Sequence, residues 1–196
     1  MAEEINKIRK LEKQFVPEKV TLIREIQTDV SSLKFKGGVG RYYAKELIFS
    51  LEAGLLLASL HLSSSLLELF VRDLLINDYS LNLLKRNVYY KKLHEMEKQY
   101  EDGNKPQWTF FKMTEELYKR KIIKKREADD IKGFYKKIRI PILHGLSRRF
   151  VRNYEDDFFE EIFGRMTRDH RLEELIEDQA LILIKTAASF MKKHAF

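Results

Sequence analysis

The stretch LEAGLLLASLHLSSSLLELFVRDLLI, residues 51–76, decides the fold class. Apolar side chains fall in almost every direction around a helix drawn through it, which predicts a core helix buried on most sides. His61, Ser65, Glu68 and Arg72 are set apart by spacings of four, three and four, so they line up as one polar stripe along that helix. A core helix carries such a stripe where one side is wet or meets a partner. Glu52, Gly54 and His61 interrupt the most apolar run, Leu47 to Leu62, and Glu68 follows. It therefore falls short of the ~18–20 unbroken apolar residues that a membrane span requires.

Helical signals continue on both sides of this core. Ile5, Ile8, Leu11 and Phe15 recur at helical spacing up to Pro17, which suits the first turn of a following helix. That helix carries Val20, Ile23 and Ile26 and fades after Ser31-Ser32, before a glycine-rich connector at Lys36-Gly37-Gly38-Val39-Gly40. From Tyr42 to about Asn77 the pattern predicts one long helix or two nearly continuous ones, with a turn at Asn77-Asp78-Tyr79-Ser80. A lysine-rich amphipathic helix from Leu81 to about Tyr100 follows and closes at Asp102-Gly103-Asn104-Lys105-Pro106. Further helices are expected from Thr109 to about Lys121, from about Arg126 towards Ile138, at Asp156–Phe163, and from Leu172 to Lys193. No internal repeat and no credible strand pair is present. The expectation is an all-α, up-and-down helical bundle, with residues 1–40 as an N-terminal helical appendage and 41–196 as the bundle domain.

Composition agrees. With 44% hydrophobic and 34% charged residues among 196, and only 3 prolines and 8 glycines, the chain is globular and permits long helices. The absence of cysteine excludes disulfides, thiolate metal sites and cysteine nucleophiles. The polar, acidic start Met1-Ala2-Glu3-Glu4 is unlike a secretory signal, so a cytoplasmic address is expected. The net charge of +7 favours an anionic partner, nucleic acid first among them, although solvated lysine-rich helices produce the same sum.

Most catalytic motifs are missing. No Gly-Lys-Ser/Thr follows the glycine-rich connector, no nucleophile elbow and no dinucleotide fingerprint occurs, and His-Glu-x-x-His is absent. His61, His94, His144, His170 and His194 lie far apart, and His170 with Glu174 is a weak pair, so neither a metal nor another cofactor is expected. The acidic neighbours Asp129-Asp130, Asp156-Asp157 and Glu173-Glu174 point about 100° apart on a helix, which suits a solvated face rather than an acid–base dyad.

One segment carries usable chemistry: Lys136-Lys137-Ile138-Arg139-Ile140-Pro141-Ile142-Leu143-His144-Gly145. Pro141 either begins a helix or kinks one. Positions five apart on a straight helix diverge by about 140°, so Arg139 and His144 need that break, or a second chain, to converge on one phosphate. His144, Arg148 and Arg152 recur at i, i+4 and i+8, with Arg149 beside them, giving a basic strip next to the imidazole. A second Arg-x4-His match, Arg165 to His170, lies in a more polar stretch after Gly164.

The Arg139-x4-His144 pattern, with the upstream helix bearing Glu68, resembles the HEPN superfamily of helical bundles, whose ribonucleases carry an Arg-x4–6-His motif. The resemblance extends loosely over residues 46–150 and is specific only in the ten-residue segment. It implies a metal-independent endoribonuclease acting as a homodimer, of a kind often found in toxin–antitoxin or antiviral systems, with an antitoxin protein as a further partner. By that resemblance Arg139 and His144 are catalytic, Glu68 supports Arg139, and Lys136, Lys137, Arg148, Arg149 and Arg152 bind RNA. Catalytic relatives often have a polar residue after the arginine, where this chain has Ile140. A non-catalytic bundle that binds RNA or another protein is the alternative, and Glu68 has an equally simple reading as an ion pair with Arg72.

Overall fold

The computed structural model describes residues 11–35, 38–81, 91, 94, 95, 98, 108–136 and 172–195. All regular structure among these residues is helical: α1 (Pro17–Ser31), α2 (Gly38–Glu52), α3 (Leu56–Leu81), α4 (Phe110–Lys119), α5 (Lys125–Phe134) and α6 (Leu172–Lys193). The chain divides into two compact units, one of Met1–Leu66 with Phe134–Phe196 and one of Leu67–Gly133. No helix among the described residues is long and apolar enough to cross a membrane.

In the first unit, Pro17 opens α1 as expected, where its missing N–H costs no helical hydrogen bond. Ile23, Ile26 and Val30 bury the inner stripe of α1, which packs against α2 and α6. The facing stripe of α6 is Ala180, Leu181, Ile184, Ala187, Ala188 and Met191, whose three alanines leave room for a close helix–helix approach. The Gln27 amide bridges to α2 by donating to the Ile48 carbonyl at 3.3 Å. At the far end Ser31 and Ser32 turn their hydroxyls back to the carbonyls of Thr28 and Asp29, satisfying groups that the helix end leaves open.

Glycine positions explain two departures from the sequence pattern. The connector is shorter than expected, because Gly38 to Gly40 already belong to α2. Gly40 is buried there because the Phe35 ring lies over it, only 2.5 Å from where a Cβ would stand. Close packing, rather than chain flexibility, accounts for that glycine. The long apolar run resolves into two helices at Gly54, which takes φ +73°. Its N–H donates to the Leu51 carbonyl at 3.1 Å and that of Leu55 to the Ser50 carbonyl at 2.9 Å, the paired closing bonds of a glycine-terminated helix.

The start of α3 buries three hydroxyls in apolar surroundings. Ser59, Ser63 and Ser64 donate to the carbonyls of Leu55, Leu60 and His61, so the helix backbone supplies the partners that the core lacks. Ser50 on α2 and Ser59 on α3 also share a hydrogen bond of 2.8 Å, which fixes the two helices across the Gly54 turn.

The second unit is built on the end of α3 with α4 and α5. Phe110, Met113, Thr114 and Leu117 recur at i, i+3, i+4 and i+7 and are buried, with the Thr114 hydroxyl donating to the Phe110 carbonyl. Thr109 caps α4 by accepting from the Lys112 N–H. The helix ends on Lys121, which adopts φ +60° and closes the turn through Lys121 N–H to Tyr118 O and Ile122 N–H to Leu117 O. Ile123, Ala128 and Ile131 are buried in the same unit, as are Leu67, Phe70, Val71, Leu74 and Leu75.

The turn expected at Asn77–Ser80 is helical instead, since α3 runs on to Leu81. A tertiary ion pair accounts for the change. The Asp78 carboxylate accepts from Arg120 Nη1 at 2.8 Å, and the same guanidinium donates to Glu116 at 2.8 Å. An aspartate engaged in that way does not need to cap a backbone N–H.

Candidate functional site

Of the residues assigned to a site by the resemblance, Glu68 and Lys136 lie within the described residues. Glu68 is half-buried on α3. Of the stripe to which it belongs, Ser65 is buried, at 7% exposure, whereas His61 and Arg72 are half-buried. Arg72 Nε stands 3.7 Å from the buried Asp73 carboxylate. The stripe is thus only partly wet, and its serine is core. Lys136 is exposed, two residues after the last residue of α5. Arg139, His144, Lys137, Arg148, Arg149 and Arg152 lie outside the described residues, as do Arg165 and His170.

Two other groupings come forward that the sequence pattern did not single out. The first is an ionic cluster between α1 and α6. Asp29, whose side chain is only 8% exposed, accepts from Lys185 at 3.0 Å and Lys192 at 2.6 Å, while Lys185 also reaches Glu25 at 3.0 Å. Burial pushes the Asp29 pKa up, but the ammonium groups of Lys192 and Lys185 together outweigh it and hold the carboxyl below its ordinary value. Burial lowers Lys185, and its two carboxylate partners more than restore it, so its pKa ends above the usual lysine value. Groups held so firmly in their charged states serve as struts rather than as proton-transfer agents.

The second grouping is the outer face of α2. Its exposed side chains are Val39, Arg41, Tyr42, Lys45 and Phe49, and its two carboxylates, Glu46 and Glu52, are half-buried. Tyr42 is 64% and Phe49 47% exposed, unusual for rings of that size on a helix that already has a core side. Tyr42 stands edge-on to Tyr43 with centroids 6.5 Å apart, and Lys45 Nζ lies 6.0 Å from the Phe49 ring centre. The sequence shows two aromatic residues seven apart with Lys45 between them and Arg41 just before, a spacing that does not by itself say whether the rings face in or out.

Compared with protein-family models, with curated proteins and with solved structures, the chain finds no match in any of the three.

Proposed function

We propose that this protein is a HEPN-type, metal-independent endoribonuclease that works as a homodimer. The single observation that carries the reading is the Arg139-x4-His144 motif, which begins three residues and ends eight residues beyond the exposed Lys136, in a chain whose described elements are all helical. The net charge of +7 and a half-buried Glu68 on the long helix upstream of the motif support it.

In this mechanism His144 takes the proton of a ribose 2′-OH, or gives one to the leaving 5′-oxygen, roles that imidazole side chains fill as general base or general acid. Arg139 binds the scissile phosphate through two N–H groups and stabilises the charge that develops on it. Attack of the 2′-oxygen on phosphorus breaks the P–O5′ bond and leaves a 2′,3′-cyclic phosphate and a 5′-hydroxyl. No metal takes part. Lys136, Lys137, Arg148, Arg149 and Arg152 hold the neighbouring phosphates, and an antitoxin protein is the natural regulator if the enzyme serves as a toxin.

The test is cleavage of single-stranded RNA in excess EDTA. Cyclic-phosphate ends that disappear with His144→Ala are expected; intact RNA with the unaltered protein ends the enzyme reading. Ile140, standing where catalytic relatives often have a polar side chain, favours a second reading in which the bundle binds RNA without cutting it. Salt-sensitive binding without cleavage would be its signature.

A further inference from the structure

We infer that the outer face of α2 is a stacking platform for single-stranded RNA, with bases on Tyr42 and Phe49 and phosphates on Arg41 and Lys45. The inference rests on the RNA reading above and adds to it a binding surface remote in sequence from the Arg139–His144 motif.

Exposure makes the first part of the case. Tyr42 and Phe49 are two helical turns apart, so their rings are spaced by about 10 Å along the axis. That separation leaves room for one nucleotide between two stacked ones in an extended strand. Tyr42 is braced against Tyr43, so little side-chain freedom is lost when a base settles on it. Lys45 sits one turn from each ring, and its ammonium, 6.0 Å over the Phe49 ring, is a flexible cation that can swing aside to a phosphate when a base takes that face.

Charge makes the second part and selects the occupant. Every exposed charge on α2 is cationic, while Glu46 and Glu52 are drawn back to half-buried positions. Among the described residues, neither Arg41 nor Lys45 is in a salt bridge, in contrast to Lys185, Lys192, Lys132 and Arg120. Aromatic faces alternating with cations suit a single-stranded polyanion, because every base has a π-face and every step adds a phosphate. A second copy of this chain would bring the same cations to the contact and meet repulsion there.

The experiment measures binding of a fluorescein-labelled, unstructured 2′-O-methyl RNA, which offers no 2′-OH for attack, by fluorescence anisotropy with the full chain. Tyr42→Ala and Phe49→Ala should each weaken binding at least about five-fold, and Phe49→Tyr should retain it. Arg41→Ala and Lys45→Ala should each lower the slope of log affinity against log salt by about 0.7. Both rings are exposed, so unchanged circular dichroism and melting are expected for every variant. If the unaltered protein binds and the Tyr42→Ala/Phe49→Ala double variant binds equally well, the platform is overturned and the RNA reading stands. If the unaltered protein neither binds nor cleaves RNA, both fall together. Loss of self-association in the double variant with RNA binding intact overturns the platform as well, and assigns the face to a second copy.

Discussion

Replacing Asp29 by asparagine removes one charge from between two ammonium groups and keeps the side-chain shape. In the native protein its carboxylate accepts two charge-assisted hydrogen bonds, from Lys185 and Lys192. Such bonds contribute about 1.5–3 kcal/mol each. The lysine side chains are 28% and 54% exposed, so solvent screens them and each bond belongs at or below the low end. The expected loss for Asp29→Asn is therefore about 2–3 kcal/mol at neutral pH, or a melting point lower by roughly 5–10 °C for a chain of this size. The pH dependence fixes the mechanism. Because the folded pKa of Asp29 is lowered, its contribution is full above the unfolded value of 3.8 and is lost as pH falls through the folded value. Lys185 is raised, so its share is full below its unfolded value of 10.5 and is lost as pH rises through the folded value. The difference in unfolding free energy between the native protein and Asp29→Asn should be level across the neutral range and shrink in acid, and again in strong alkali as Lys185 loses its proton. Urea unfolding followed by far-ultraviolet circular dichroism measures it. A loss under about 0.5 kcal/mol at neutral pH, the level of an ordinary surface substitution, or a difference unchanged in strong acid, would refute the account.

Two helix ends give opposite predictions from the same geometry. Lys121 holds φ +60° with a side chain that the left-handed region disfavours, so Lys121→Gly should raise stability by about 1 kcal/mol in thermal unfolding. Gly54 holds φ +73°, and a Cβ there would stand 2.3 Å from Gln14 Oε1, so Gly54→Ala should lower stability by about 1–3 kcal/mol in the same measurement. On the proposed ribonuclease reading, neither substitution should change RNA cleavage or binding, whereas His144→Ala should abolish cleavage.

Local rules made much of the fold legible. Pro17 opens a helix, Thr109 caps one, and the apolar periodicity from Leu172 to Lys193 marks α6 at both ends, because each signal acts on its own backbone within a few residues. The departures come from packing and partners that periodicity does not register. Asp78 stays helical because Arg120, 42 residues away, takes its carboxylate, and Gly40 is a packing glycine covered by the ring of Phe35 rather than a flexible connector. The Asp29 cluster joins residues 156 and 163 apart, a distance at which periodicity is silent. The roles proposed for Arg139 and His144 rest on residue type and spacing alone, because both lie outside the described residues. The α2 face was not legible in the sequence, because aromatic residues on an amphipathic helix ordinarily turn inward and only the coordinates place these two outside.

The net charge gains spatial meaning once the tied cations are set aside. A sum of +7 from 37 basic and 30 acidic residues describes a protein most of whose charges could cancel in pairs. In the structure Lys185 and Lys192 are committed to Asp29, Lys132 to Glu115, and Arg120 to Asp78 and Glu116. Such cations cannot neutralise a phosphate without giving up a carboxylate, so they add little to the counterion release that drives nucleic-acid binding. Arg41, Lys45 and Lys136 carry no such commitment among the described residues and remain exposed. Removing Lys192 should therefore change the unfolding free energy and leave the salt slope of RNA binding alone, while removing Lys45 should do the reverse. A uniform basic coat predicts no such division, because there every lysine would contribute to both in proportion to its exposure.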